Sequence, residues 1–366
     1  AFEAAGFPKQ QGAPQSRSAL FLNNGDGTFT DATERWGVPT DGVVAFTGVF
    51  ADFDTDGWQD LAIAGDGCTS RLLRNVDGER FEDVTDASGV GTDENGMGAI
   101  ARDVDGDGLV DLFVTSISFS LEEGEECPVT GFSGCSGNRL FLNNGDFTFR
   151  DATDEYGLRE GDWGWGTVVE DLDGNGSPEV VQVNGMQFRE PTDDGVEFRY
   201  QDRFLEDRSR LWASAEGSYH DVAARVGIRD DGVSHGLVTF DMDSDGDLDI
   251  LIARANETPL LFRNDGADES PNAILAVDLV DPTNPANRWA DGSRVVVTPA
   301  EGDEALVARV GTSGSYESQL PPTLYFGLGR HEGPVARVEV HWPGATEAQV
   351  FTDVPTDRPA TLTRSG

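Results

Sequence analysis

Residues 241–250 read DMDSDGDLDI, and an apolar run, Leu251-Ile252-Ala253, comes immediately after. Unit charges about 4 Å apart repel by roughly 1 kcal/mol in bulk water and by several times that near a protein surface. An aspartate cluster beside a buried strand must therefore be neutralised, or its loop must splay open. The stretch has three companions: DFDTDGWQDL from Asp52, DVDGDGLVDL from Asp103 and DLDGNGSPEV from Asp171. All fit D-x-D-x-[DN]-G-x-x-[DE]. Carboxylates at positions 1, 3 and 5 of a tight loop face one centre, position 7 offers a backbone carbonyl, and position 9 adds a carboxylate. This is an oxygen-only cage of the kind calcium prefers, with glycine at position 6 permitting the turn. Asp and Gly also crowd ordinary turns, but four copies at one internal spacing argue against turns alone.

The expected ligands of the first ion are Asp52, Asp54, Asp56, Asp60 and the Trp58 carbonyl; of the second, Asp103, Asp105, Asp107, Asp111 and the Leu109 carbonyl. The third cage comprises Asp171, Asp173, Asn175, Glu179 and the Ser177 carbonyl, and the fourth Asp241, Asp243, Asp245, Asp249 and the Asp247 carbonyl. About four calcium ions are expected, the third held most weakly because Asn175 removes a charge. An EF-hand would need an acidic ligand at position 12 and then a helix. Position 12 is instead Ile63, Val114, Gln182 and Ile252, within the short apolar runs LAIAG, LFVTS, VVQVNG and ILIAR. Similar runs (GVFA, GAIAR, GTVVE, GLVTF) precede the loops, so each loop is read as the tip of a β-hairpin.

A second repeat accompanies the first. LFLNNGDGTFTDATERWGV from Leu20 recurs as LLRNVDGERFEDVTDASGV from Leu72 and LFLNNGDFTFRDATDEYGL from Leu140, with a worn copy from Leu211 and a fragment, LLFRNDG, from Leu260. Each reads as two strands around an Asn/Asp-Gly turn. Two hairpins make a four-stranded unit, and such units in series form the blades of a β-propeller, here of four or five blades. The N-terminal copy has no acidic hairpin before it, and the last acidic hairpin has no fourth strand. The N-terminal segment is expected either to complete the last blade of its own chain or to add to a neighbour's, building a filament.

These repeats resemble the FG-GAP/VCBS repeat of integrin α-chain propellers and of many bacterial surface proteins. The region from about Asn272 resembles the ASPIC/UnbV domain through GSYESQ (314–319), YFGLG (325–329) and VEVHWPG (338–344). Together they resemble the cartilage-acidic-protein-like family, which implies a secreted calcium-binding propeller with an appended β-domain and no defined reaction. The expected division is a propeller over 1–270 and an antiparallel β-sandwich of about seven strands over 271–366. The latter lacks acidic loops, so its folding is expected not to depend on calcium.

The formal net charge is −41, with a single lysine, Lys9. Four divalent cations would leave most of that charge, which argues against nucleic acid or an anionic membrane as partner. No apolar run approaches 18 residues, so no membrane-spanning helix is expected. The chain begins at Ala1, consistent with removal of a signal peptide or with truncation, and an extracellular or cell-surface location is expected. Of three cysteines, Cys127 and Cys135 share one loop and are the favoured disulfide; Cys68 is either a free thiol or an alternative partner.

The four histidines show no metal-ligand spacing, and no G-x-S-x-G, P-loop or C-x-x-C occurs. His341-Trp342-Pro343 is read as a packed aromatic corner. Phe46, Met97, Trp165 and His235 stand at equivalent places before the inner strands, where the mouth of a propeller channel would lie. They form a candidate pocket, with plain packing as the competing reading. The expected role is extracellular binding, adhesion or assembly with a protein, a glycan or a second copy. An enzyme, lyase-like or biosynthetic, using that pocket is the alternative.

Overall fold

The computed structural model describes residues 18–118, 136–186, 204, 207–266, 272–311 and 314–365. Three four-stranded antiparallel meanders succeed one another along the chain. The first contains β3 (Val44–Ala51), β4 (Asp60–Asp66), β5 (Arg71–Val76) and β6 (Arg80–Asp83), after a separate hairpin of β1 (Phe21–Asn23) and β2 (Phe29–Asp31). The second contains β7 (Ala99–Arg102), β8 (Asp111–Val114), β9 (Arg139–Asn143) and β10 (Phe149–Asp151). The third contains β11 (Gly164–Glu170), β12 (Glu179–Asn184), β13 (Arg210–Ala215) and β14 (Ser218–Asp221). A fourth sheet has three strands, β15 (Ser234–Phe240), β16 (Asp249–Arg254) and β17 (Leu260–Phe262). The first strands pack in succession, β3 on β7, β7 on β11 and β11 on β15, which makes them the inner strands of four propeller blades.

The blades are sealed by apolar residues, among them Phe53, Leu72, Phe113, Phe141, Leu158, Leu237 and Ile252, all nearly fully buried. A D-x-T motif fastens the outer hairpin in three of the repeats. Thr33, Thr85 and Thr153 donate their hydroxyls to Asp31, Asp83 and Asp151 and accept the N–H of Leu20, Leu72 and Leu140. The last repeat that reaches this motif has Ala223 in place of the threonine.

The N-terminal hairpin does not complete the fourth blade. Among the described residues β1 pairs only with β2, and β17 only with β16. The stretch just beyond β2 packs instead on the first blade: Trp36 lies 5.4 Å from the Phe81 ring, and its carbonyl accepts the Phe81 N–H.

Residues beyond 272 form two further sheets. One has the order β21 (Leu324–Gly327), β18 (Ile274–Val280), β24 (Ala360–Thr363); the other β20 (Leu306–Arg309), β19 (Arg294–Thr298), β22 (Val335–His341), β23 (Gln349–Val354). The seven-strand expectation holds, but the sandwich is not wholly antiparallel, because β18 and β24 run parallel. Val277, Val295, Val297, Val338 and Val340 fill its core. Trp342 is buried in that core and His341 is exposed, as a packed corner requires. Among the described residues no strand is shared between the two halves, and residues 267–271, where the boundary was expected, lie outside the described ones.

Candidate functional site

Each acidic loop joins the first and second strand of its blade, and all four share one backbone path. The fourth loop position is left-handed in every copy (Thr55 φ 59°, Gly106 82°, Gly174 69°, Ser244 65°), and so is the sixth (Gly57 93°, Gly108 86°, Gly176 93°, Gly246 100°). Glycine at position 6 meets that demand without strain. Thr55 and Ser244 meet it at position 4 against their intrinsic preference.

Hydrogen bonds explain why these residue types stand where they do. The position-1 carboxylate accepts the N–H of the position-6 glycine: Asp52 from Gly57 at 3.2 Å, Asp103 from Gly108 at 2.8 Å, Asp171 from Gly176 at 2.7 Å and Asp241 from Gly246 at 3.1 Å. Position 5 accepts the N–H of position 7, pairing Asp56 with Trp58, Asp107 with Leu109, Asn175 with Ser177 and Asp245 with Asp247. Position 9 acts as a brace across the loop base. Asp60, Asp111, Glu179 and Asp249 accept the position-2 N–H of Phe53, Val104, Leu172 and Met242.

The other carboxyl oxygen of Asp60, Asp111 and Asp249 accepts a backbone N–H from the third strand at Asn75 and Asn143, and from just beyond it at Asn264. These asparagines brace the loops and are not part of the loop motif. Asn143 Nδ2 donates to Val110 O in its own blade and to Phe53 O in the preceding loop. Asn264 Nδ2 likewise reaches Leu172 O of the loop before its own. Their recurrence in LFLNNG, LLRNVDG and LLFRNDG was the available signal. The third blade has Ser214 at this place.

The loops gather carboxylate oxygens within 4.8 Å of one another: Asp52, Asp54 and Asp56; Asp103, Asp105 and Asp111; Asp171, Asp173 and Glu179; Asp241, Asp243 and Asp249. Position 9 thus joins three clusters, while position 5 joins the first. Asp60, Asp107 and Asp245 fall outside these sets. The arrangement suits a hard cation. Oδ1 of Asp52 is buried and accepts no hydrogen bond, while its Oδ2 lies 3.7 Å from Arg309. Burial, reinforced by neighbouring carboxylates, pushes Asp60 up to about 7, Asp103 and Asp171 to about 6, and Asp111 and Glu179 to about 8. A bound divalent ion would reverse that cost.

The sandwich half rests on these loops. Gly329 N–H donates to Gly174 O at 2.8 Å, Asn272 Nδ2 to Asp173 O at 3.0 Å, and Val307 lies against Gly108. A cavity of about 350 Å³ separates loops two and three from β20 and β21, with Asp103, Asp171, Arg309 and the ion-paired Arg102 and Glu170 in its wall.

The candidate pocket at the channel mouth is a packed aromatic cluster. Trp165 lies 4.4 Å from His235 and 6.0 Å from Phe46, while Met97 is buried. Tyr316 of the sandwich half packs against Trp165 at 4.9 Å, Phe46 at 5.9 Å and His235 at 6.0 Å. Cys127 and Cys135 lie outside the described residues, and Cys68 is an exposed free thiol.

A family described as FG-GAP-like repeat matches residues 12–63, 52–114 and 129–181, which contain the first three acidic loops; one described as ASPIC and UnbV matches 283–366. No curated protein matches the chain. The fourth loop lies outside the matched segments and yet repeats their backbone path and hydrogen bonds. The chain is a protein of FG-GAP-like repeats with a C-terminal ASPIC and UnbV domain.

Proposed function

We propose that the protein is a secreted, calcium-stabilised propeller that serves as a binding or assembly scaffold outside the cell. The observation that carries this reading is the fourfold recurrence of one loop geometry, each copy gathering at least three carboxylates within 4.8 Å. Calcium is favoured over magnesium because the ligands are many, anionic and set on irregular backbone, and magnesium demands near-ideal octahedral geometry and keeps its waters. Millimolar extracellular calcium suits such sites, whose affinities in extracellular modules run about 10⁻⁴–10⁻³ M. No helix among the described residues is long and apolar enough to cross a membrane. The net charge of −41 disfavours nucleic acid and anionic lipid, leaving protein, glycan or a second copy as partner.

The enzyme alternative needed an open pocket at the channel mouth. Tyr316 packing on Trp165, Phe46 and His235 speaks against it. Calcium titration of the chelated protein by calorimetry tests the reading: uptake of about four ions supports it, and no heat at millimolar calcium refutes it.

A further inference from the structure

The motif GSYESQ belongs to the sandwich half in sequence, but residues 314–320 lie among the inner strands of the propeller. Gly314 is packed against β7 and β3 so closely that a Cβ there would sit 2.2 Å from Ala99 O and 2.3 Å from Val49 Cγ2. The Ser315 carbonyl accepts the Thr47 hydroxyl of β3 at 3.3 Å, and its Oγ accepts the Thr167 N–H of β11 at 3.2 Å. Ser318 Oγ accepts the Leu237 N–H of β15 at 2.9 Å. Tyr316 fills the aromatic cluster, and Leu320 is buried within the propeller's own core. One short segment thus touches the inner strand of every blade.

The strands are shaped for it. Register shifts occur at equivalent places in three of them, between Ala45 and Thr47, between Gly164 and Thr167, and between Ser234 and Gly236. A bulge takes backbone groups out of the ladder and turns them aside. Here the Thr167 and Leu237 N–H groups, on strand edges that pair with no further strand among the described residues, are met by serine hydroxyls. The segment bends at Tyr316-Glu317, with Glu317 left-handed at φ 49°. Backbone donors of a sheet edge that hold the polar side chains of one segment, with a pocket for one large side chain, are elements of peptide recognition.

We propose that the axis of the propeller is a peptide-binding site whose occupant is this chain's own segment 314–320. Gly314 passes the narrow point, Ser315 and Ser318 satisfy the bulged strands, and Tyr316 is the anchor. The ring is therefore fastened from its centre by the sandwich half, and the aromatic mouth is closed to other ligands while the segment is seated.

The test uses the full chain. The variant Tyr316→Ala/Ser318→Ala should loosen the segment, and a fluorescein-labelled GSYESQL peptide should then bind at least about tenfold more tightly than it binds the unaltered chain. The same peptide with alanine for tyrosine should lose that gain. Equal binding to variant and unaltered chain, or indifference to the peptide's tyrosine, would overturn the proposal. Hydrogen exchange guards against a variant that does not fold. In the unaltered chain the Thr167 and Leu237 amides should exchange as slowly as paired strand amides, and single Ser315→Ala and Ser318→Ala changes should each speed their own partner at least about tenfold. Fast exchange of both amides in the unaltered chain would refute the seated segment directly.

Discussion

At the ninth loop position one carboxylate does two tasks. Asp111 accepts the N–H groups of Val104 and Asn143, both at 2.8 Å, and belongs to the second acidic cluster. Asp107, at position 5, accepts only the exposed Leu109 N–H. Leaving a buried donor unsatisfied costs about 1–3 kcal/mol. In chelator, Asp111→Ala should therefore lose about 2–6 kcal/mol by denaturant unfolding, and Asp107→Ala less than about 1. Equal losses would mean that the brace is unimportant. The raised carboxyls also set a pH dependence for the metal-free protein. Asp111, Glu179 and Asp60 hold protons up to about pH 7–8 when folded, above their ordinary range. The folded state then binds more protons than the unfolded state between about pH 4 and 8, so stability falls as pH rises through that window. In EDTA the melting temperature should be higher at pH 5 than at pH 8. A rise with pH would contradict the burial of these groups.

At the scale of elements, the same fourteen-residue hairpin occurs in two settings. LFLNNGDGTFTDAT and LFLNNGDFTFRDAT differ at two positions, yet Phe141 and Phe149 are 0% and 7% exposed while Phe21 and Phe29 are 56% and 62% exposed. The difference lies in what each hairpin meets: β9 pairs with β8, whereas β1 has no strand on that side among the described residues. Phe21→Ser/Phe29→Ser should change melting by no more than about 2 °C, because both rings are already exposed. Trp36→Ala should cost more, since Trp36 covers Phe81. Identical losses would show that the exposed rings support the first blade as much as Trp36 does.

Local spacing made the acidic loops and both hairpins of each unit legible, because ligands, turn and strands all fall within about twenty residues. The left-handed Thr55 and Ser244 were not legible, because neither residue favours that conformation and only the rest of the loop imposes it. The asparagine bridges were hidden differently: Asn143 and Phe53 are 90 positions apart. Nor did repeat counting show which element fills the centre, since Thr47 and Ser315 are separated by 268 positions.

At the scale of the molecule, the sandwich half grips the propeller twice, on the acidic loops and along the axis. Arg309 beside Asp52 and Gly329 on Gly174 tie it to loops one and three, while Ser315 and Ser318 tie it to the inner strands. Cations in the loops would therefore support the propeller and its docked neighbour together, even where the sandwich core folds without them. Binding only the native state adds about 2.7 kcal/mol per site at a hundredfold excess over Kd. Four sites with Kd near 10⁻⁴ M would act together at about 10 mM calcium. The most direct measurement is the melting temperature of the whole chain in EDTA and in about 10 mM calcium. A rise of more than about 10 °C, reversed by chelation and much smaller with magnesium, is the predicted result; superimposable melts would contradict the account.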